Sequence, residues 1–142
     1  GDGDLDVLSA SALDNKIAWY ENTDGFGTFG PQQVITTSAN GAWSVYATDL
    51  DGDGDADVLS ASNSDDKIAW YENLGGGNFG PQQVLTGPIG SATSADGAHS
   101  VYATDLDGDG DTDVVSGSHF DDKVAWYEKA TKHKKTKKRS KR

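Results

Sequence analysis

The sequence predicts an all-β protein made of β-propeller blades, each a four-stranded antiparallel meander. Three observations lead to this fold class. They are a repeat of about fifty residues, short β-branched and aromatic segments bounded by turn residues, and no helical periodicity in residues 1–128. Repeats that are apolar on both faces are typical of sheets packed radially. A β-solenoid is the alternative, but its repeats are usually shorter and poorer in aromatic residues.

The repeat consists of sequence blocks that stay in phase along the chain. The blocks are GDGD…KIAWYEN and its variants (1–22, 52–73, 108–129), FGPQQV (29–34, 79–84) and SVYATDLD (44–51, 100–107). The units are offset by 51 and then 56 residues, and the extra residues fall in a Gly/Ser/Ala loop at 87–97. Such an insertion, with every other block in register, is expected of stacked supersecondary units.

The complete repeat contains four predicted strands, at 44–50, 57–62, 67–73 and 79–86. Because side chains alternate along a strand, Ile68 and Trp70 should face one way and Ala69 and Tyr71 the other. Both faces are apolar, so the sheet should lie between two neighbours. The first and third units hold three strands each, which gives ten strands and an incomplete array of about 2.5 blades.

These patterns divide the chain into four segments. They are a partial blade without its first strand (1–37), a complete blade (43–86), a partial blade without its last strand (98–128) and a basic tail predicted to be disordered (129–142). The sequence is therefore typical of a fragment of a longer array. Further blades of the same propeller, or self-association, are the expected partners of its sheet faces.

The charge is unevenly distributed. The 142 residues carry a net charge of −11, but nine of the twelve basic residues lie in the tail. Residues 1–128 hold 23 acidic residues against three lysines, a net charge of −20. Twenty of the acids are aspartate, which suits neither helix nor strand interiors. The chain has no cysteine, which excludes disulfide scaffolds and thiolate zinc sites, and no apolar run approaches the roughly 18 residues of a membrane span.

Two aspartate-rich loops carry the strongest chemical signal, with aspartate at loop positions 1, 3, 5, 7 and 9 and glycine at position 6. The aspartates are Asp49, Asp51, Asp53, Asp55 and Asp57 in the second repeat, and Asp105, Asp107, Asp109, Asp111 and Asp113 in the third. Calcium binds six to eight hard oxygens at about 2.3–2.6 Å, and a tight loop of this pattern directs carboxylates at one centre. Without a cation, the carboxylates would repel one another. The loops therefore predict Ca²⁺ sites, whereas Mg²⁺ prefers to keep its waters.

The loops resemble an EF-hand loop but differ from it in two respects. Position 12 is serine instead of a bidentate glutamate, and the flanking segments are predicted strands. By analogy, position 7 (Asp55 and Asp111) should ligate through its backbone carbonyl, while position 9 (Asp57 and Asp113) supplies the carboxylate on the far side. The first repeat keeps only a partial site, in which Asp2, Asp4 and Asp6 stand at positions 5, 7 and 9.

With these motifs, residues 1–128 resemble the FG-GAP (or VCBS) repeat family, the calcium-loop blades of integrin-α-like β-propellers. The resemblance rests on DLDGDGDADVLSAS and DLDGDGDTDVVSGS, on the KIAWYEN strands and on the FGPQQV block. It implies that the five aspartates of each full loop are the metal positions. It also implies structural calcium, extracellular or cell-surface display, and a role in adhesion or ligand recognition. Such repeats also accompany secreted enzymes as non-catalytic modules.

The sequence offers no candidate catalytic residue. The histidines share no spacing with a repeated acid, the serines lack a G-x-S-x-G context, and GGGNFG lacks the lysine of a phosphate loop. We therefore expect a calcium-stabilised extracellular binding or adhesion module and no enzyme. The alternatives are the accessory propeller of a secreted enzyme and a lectin-like glycan binder. The protein or glycan ligand is not predicted.

Two further features bear on partners. Trp43 is replaced by His99 in the next repeat, which makes Trp43 a candidate for a variable surface contact. The basic tail 129–142 could bind a polyanion, although nucleic acid is not the expected partner because the calcium loops indicate an extracellular site.

Overall fold

A computed structural model describes residues 3–87 and 90–129, and these residues form an all-β structure without helices. It follows that no helix in the described ranges could cross a membrane. The ten strands are β1 (Val7–Ser11), β2 (Lys16–Tyr20), β3 (Gln33–Thr36), β4 (Ala42–Thr48), β5 (Asp57–Ser62), β6 (Lys67–Tyr71), β7 (Gln83–Val84), β8 (Ala98–Thr104), β9 (Asp113–Ser118) and β10 (Lys123–Tyr127).

The strands form three antiparallel meanders, which we call blade 1 (β1–β3), blade 2 (β4–β7) and blade 3 (β8–β10). The predicted division of ten strands into three, four and three is confirmed within the described residues. The predicted all-β fold of incomplete propeller blades is likewise confirmed.

The fourth strand is much shorter than the predicted strand at 79–86. Gln83 and Val84 pair with β6, Leu85 N donates to Ile68 O at 2.8 Å, and an isolated bridge joins Asn73 to Phe79. Pro81 lies between these two pairings and has no N–H to donate, so it interrupts the ladder. The prediction of one continuous strand was therefore wrong.

Two apolar cores lie between the blades. The core between blades 1 and 2 contains Ile17, Ala39, Ala42, Val58, Ala69 and Tyr71. The core between blades 2 and 3 contains Leu50, Leu59, Ala61, Ile68, Ala95, Ala98, Val101, Ala103 and Val114, with Tyr46, Trp70, Leu85 and Tyr127 packed against it. Ile68 and Trp70 thus face blade 3 while Ala69 and Tyr71 face blade 1, which confirms the predicted alternation.

The hairpin after the second strand of each repeat is closed by the same three side chains. Ser62 Oγ donates to Asp65 Oδ1 at 2.5 Å, and Lys67 Nζ pairs with Asp65 Oδ2 at 3.0 Å. The residue before the lysine has a positive φ in all three copies: 58° at Asn15, 58° at Asp66 and 49° at Asp122. Asn and Asp tolerate this left-handed conformation best among residues with a side chain.

Candidate metal centre

The two full aspartate loops join the first strand of a blade to the second. One follows β4 and ends at Asp57, the first residue of β5, and the other follows β8 and ends at Asp113, the first residue of β9. Both loops are therefore set in β-hairpins. This placement follows from the β-branched and aromatic residues of the flanking segments, SVYAT before each loop and DVLSAS or DVVSGS at its end.

Aspartates fold each loop by accepting hydrogen bonds from its backbone. Asp49 accepts from the amides of Gly52 (2.7 Å) and Gly54 (3.0 Å), Asp51 accepts from Asp53 N (3.2 Å), and Asp53 accepts from Asp55 N (2.9 Å). The loop of blade 3 repeats all four bonds between the corresponding atoms. Gly52 and Gly54 have φ of 84° and 98°, a region that glycine enters without steric cost.

The position-9 aspartates are buried and hold the loop to the rest of the blade. Asp57 is fully buried, its Oδ2 accepts from Leu50 N at 3.0 Å, and its Oδ1 accepts from Asn73 N at 2.8 Å. Asp113 is 1% exposed and accepts in the same way from Leu106 N at 3.2 Å and from Lys129 N at 3.0 Å. Burial raises the pKa of the Asp57 carboxyl, although both amides act against that shift. A buried carboxylate calls for compensating positive charge.

Carboxylate oxygens converge in both loops. Asp49, Asp51 and Asp57 offer oxygens within 4.8 Å of one another, and so do Asp105, Asp107 and Asp109. Two ligands on opposite sides of a calcium ion lie about 4.6–5.2 Å apart, so both groups fit its coordination sphere. The structure therefore brings together positions 1, 3 and 9 in blade 2 and positions 1, 3 and 5 in blade 3. Asp53 is not part of the blade 2 group, and Asp113 is not part of the blade 3 group.

The position-7 side chains stand apart from these groups, which contain neither Asp55 nor Asp111. Asp55 is half-buried and its Oδ2 lies 3.7 Å from the place where a Cβ on Gly75 would be, in the hairpin after β6. A carboxylate that points to the neighbouring hairpin leaves only the backbone of position 7 available to the loop centre.

The partial site of the first repeat is only partly described. Asp2 lies outside the described residues. Asp4 lies against Gly25, where an added Cβ would meet its Oδ1 at 2.8 Å. Asp6 is exposed, and its Oδ1 accepts from Asn22 N at 2.9 Å, as Asp57 accepts from Asn73. Among its described residues, this repeat keeps the link to the end of β2 but shows no converging group of three acids.

Asn22 and Asn73 belong to the site, although no sequence motif predicted this role. The side chain of Asn73 makes two hydrogen bonds. Its Nδ2 donates to Ala56 O at 3.0 Å, and its Oδ1 accepts from Gly75 N at 3.0 Å. Asn73 therefore connects the aspartate loop to the next hairpin. The signal was present in the sequence, because the residue after WYE stands at a constant distance from GDGD in all three repeats, as Asn22, Asn73 and Lys129.

The basic tail and Trp43 are the two features that the sequence linked to partners. Residues 130–142, nearly all of the basic tail, lie outside the described part of the chain. Trp43 is 56% exposed, and its ring centroid lies 5.0 Å from that of His99 on the neighbouring blade. Tyr46 and Tyr102 form a second pair on the same two strands, with centroids 4.7 Å apart.

Comparison with known protein families finds a match to the repeats. The family profile described as FG-GAP-like repeat matches residues 1–60 and again residues 49–116. The first match includes the complete aspartate motif of blade 2, and the second includes those of blades 2 and 3. No curated protein matches the chain.

Proposed function

The chain belongs to the FG-GAP-like repeat family, and from that premise we propose that it is a non-enzymatic, calcium-stabilised binding module that acts outside the cell. These repeats identify a propeller-type binding module. The proposal adds calcium as the bound cation and adhesion or ligand recognition as the role.

One observation carries the calcium proposal: both full loops gather three carboxylates within 4.8 Å of one another. All of these donors are oxygens, which favours a hard cation, and a loop of this size suits the larger, more flexible shell of Ca²⁺ better than the octahedral shell of Mg²⁺. Asp57 adds a buried negative charge at the edge of the first group. A cation there would offset both the repulsion and the cost of burial.

The recurrence of the aspartate loop in two blades supports a structural role for the cation. The same backbone hydrogen bonds recur in the loops of blades 2 and 3, and the last aspartate of each loop also accepts an amide from the segment that follows β6 or β10. Bound calcium would brace each hairpin and stabilise the folded state by mass action. A catalytic site, in contrast, needs one set of groups around one substrate.

Thermal unfolding with and without calcium tests this proposal. We expect the melting temperature of the chain to rise with added Ca²⁺ and to fall with a chelator. The double variant Asp51→Ala, Asp107→Ala removes position 3 from both groups and should lose most of that response. The matched double variant Asp55→Asn, Asp111→Asn should keep it, because position 7 is enlisted through its carbonyl. An unchanged melting temperature in chelator would refute calcium binding, and an equal loss in the matched variant would refute the proposed ligand geometry.

A glycan-binding role is the second candidate, because aromatic side chains line the strands β4 and β8. Trp43 and Tyr102 are 56% and 54% exposed, and each pairs with a ring of the adjacent blade. Exposed rings of this kind can stack on the apolar faces of sugars. Binding on a glycan array that disappears in Trp43→Ala would favour this role. A catalytic domain in flanking sequence would instead favour an accessory module of a secreted enzyme.

A further inference from the structure

Lys129 departs from the repeat at a position that contacts the aspartate loop. The corresponding residues of blades 1 and 2, directly after WYE, are Asn22 and Asn73. Their side chains bond within their own blade, where Nδ2 donates to Leu5 O at 3.3 Å and to Ala56 O at 3.0 Å. Each also accepts a backbone amide through Oδ1. A lysine side chain is longer and has no acceptor, so Lys129 is expected to make different contacts.

The side chain of Lys129 reaches the loop of the preceding blade. Its Nζ donates to Leu50 O at 2.6 Å, across 79 positions of sequence. Leu50 lies between Asp49 and Asp51, two members of the converging group of blade 2. Its side chain is 7% exposed in the core between blades 2 and 3. Because a hydrogen bond from a charged donor is about twice as strong as a neutral one, the ammonium fixes the loop backbone between two candidate ligands.

The backbone of Lys129 connects the same residue to the loop of blade 3. Lys129 N donates to Asp113 Oδ1 at 3.0 Å, and Leu106 N donates to Asp113 Oδ2 at 3.2 Å. Leu106 lies between Asp105 and Asp107 of the converging group of blade 3. Three hydrogen bonds thus join position 2 of one loop to position 2 of the other. Asp113 is 1% exposed, so close packing leaves it little room to move independently of the two amides.

The ammonium of Lys129 binds a backbone group and not a carboxylate. The other lysines of the described residues, Lys16, Lys67 and Lys123, each form an ion pair with an aspartate of their own hairpin. Lys129 forms no such pair within 4.0 Å in the described part of the chain. Its contribution to the loop of blade 2 is therefore geometric, since it holds a carbonyl in place without neutralising one aspartate.

We propose that Lys129 is a positioning residue that couples the two aspartate loops, so that a cation in one loop raises the affinity of the other. The inference rests on the proposed calcium binding and adds an energetic connection between the two sites. A cation in the loop of blade 3 would fix Leu106, and through Asp113 the backbone of Lys129. The ammonium would then hold Leu50, and the carboxylates on either side of it, in place for a second cation. The effect is reciprocal, since linkage requires each site to raise the affinity of the other by the same factor.

Isothermal titration calorimetry with Ca²⁺ on the 142-residue chain tests the coupling. We expect two ions to bind, the second about fivefold more tightly than it binds to Lys129→Asn. This is the low end of the typical coupling of about 5–150-fold, because the route consists of single hydrogen bonds. Lys129→Asn introduces the residue that the other two repeats carry, so the fold should be preserved. Lys129→Arg keeps a charged donor and should retain the coupling.

A matched variant separates positioning from charge. Lys16→Met removes one positive charge from the hairpin of blade 1 and should leave both binding constants unchanged. Identical constants in the native chain and in Lys129→Asn would overturn the coupling while calcium binding stands, even if the melting temperature falls, since a merely structural contact predicts that result. Equal changes in Lys129→Asn and Lys16→Met would also overturn it, because net charge would then be the cause. Failure of the native chain to bind any calcium would refute the proposed function, and the coupling with it.

Discussion

The double hydrogen bond made by Asp57 should stabilise the fold even when no metal is present. In Asp57→Ala the amides of Leu50 and Asn73 lose a charged acceptor in a fully buried site. A hydrogen bond to a charged group contributes about 1.5–3 kcal/mol, so we expect a loss of about 3–6 kcal/mol in the free energy of unfolding. This is a large part of the 5–15 kcal/mol that is typical of folded domains.

Urea unfolding in chelator, followed by tryptophan fluorescence, measures this loss. Asp6→Ala is the matched control, because Asp6 makes one such bond from an exposed position. We expect its loss to stay below about 1.5 kcal/mol. Asp57→Asn keeps one acceptor oxygen and should fall between the two alanine variants. If Asp57→Ala and Asp6→Ala cost the same in chelator, the carboxylate is a metal ligand alone and the argument from its amide bonds is wrong.

Two other predictions concern packing and pH. Gly76 and Gly77 have φ of 63° and 73°, so alanine at either position should cost about 1–2 kcal/mol. Gly77→Ala should cost about 1–3 kcal/mol more in urea unfolding, because its Cβ would collide with the Trp19 ring; equal losses would contradict this packing. The Ser118 hydroxyl, supported by Lys123, lowers the pKa of Asp121 to about 2 from 3.8. Its stabilising contribution should therefore be complete above pH 3.8 and lost as the pH falls towards 2. Ser118→Ala should raise the Asp121 midpoint in an NMR titration, and an unchanged midpoint would show that the hydroxyl is not the cause.

The regular part of the fold could be predicted from the sequence because its signals are local. Alternation along KIAWY determines which side chains face each neighbouring blade, as Ile68 and Tyr71 illustrate. The last strand was predicted too long because Pro81 interrupts its pairing while the surrounding residues remain typical of a strand.

The candidate site was less predictable, because it depends on contacts between segments that are distant in sequence. The aspartate spacing predicted two loops, and the structure shows both with the same backbone hydrogen bonds. The spacing did not indicate that Asp57 binds the amide of Asn73, sixteen residues away. It also did not distinguish the loops, although Asp57 joins the converging group in one and Asp113 does not in the other.

The burial of blade 2 on both faces has a consequence for how the chain unfolds. The two apolar cores lie on opposite sides of this blade, and every residue of β5 is buried. Opening blade 2 therefore exposes both cores at once, whereas an outer blade can fray and expose only one. In a linear array this couples the neighbours through the middle unit. Amides of β5 should exchange with deuterium only through global unfolding, and those of β3 should exchange through local opening at a lower free energy.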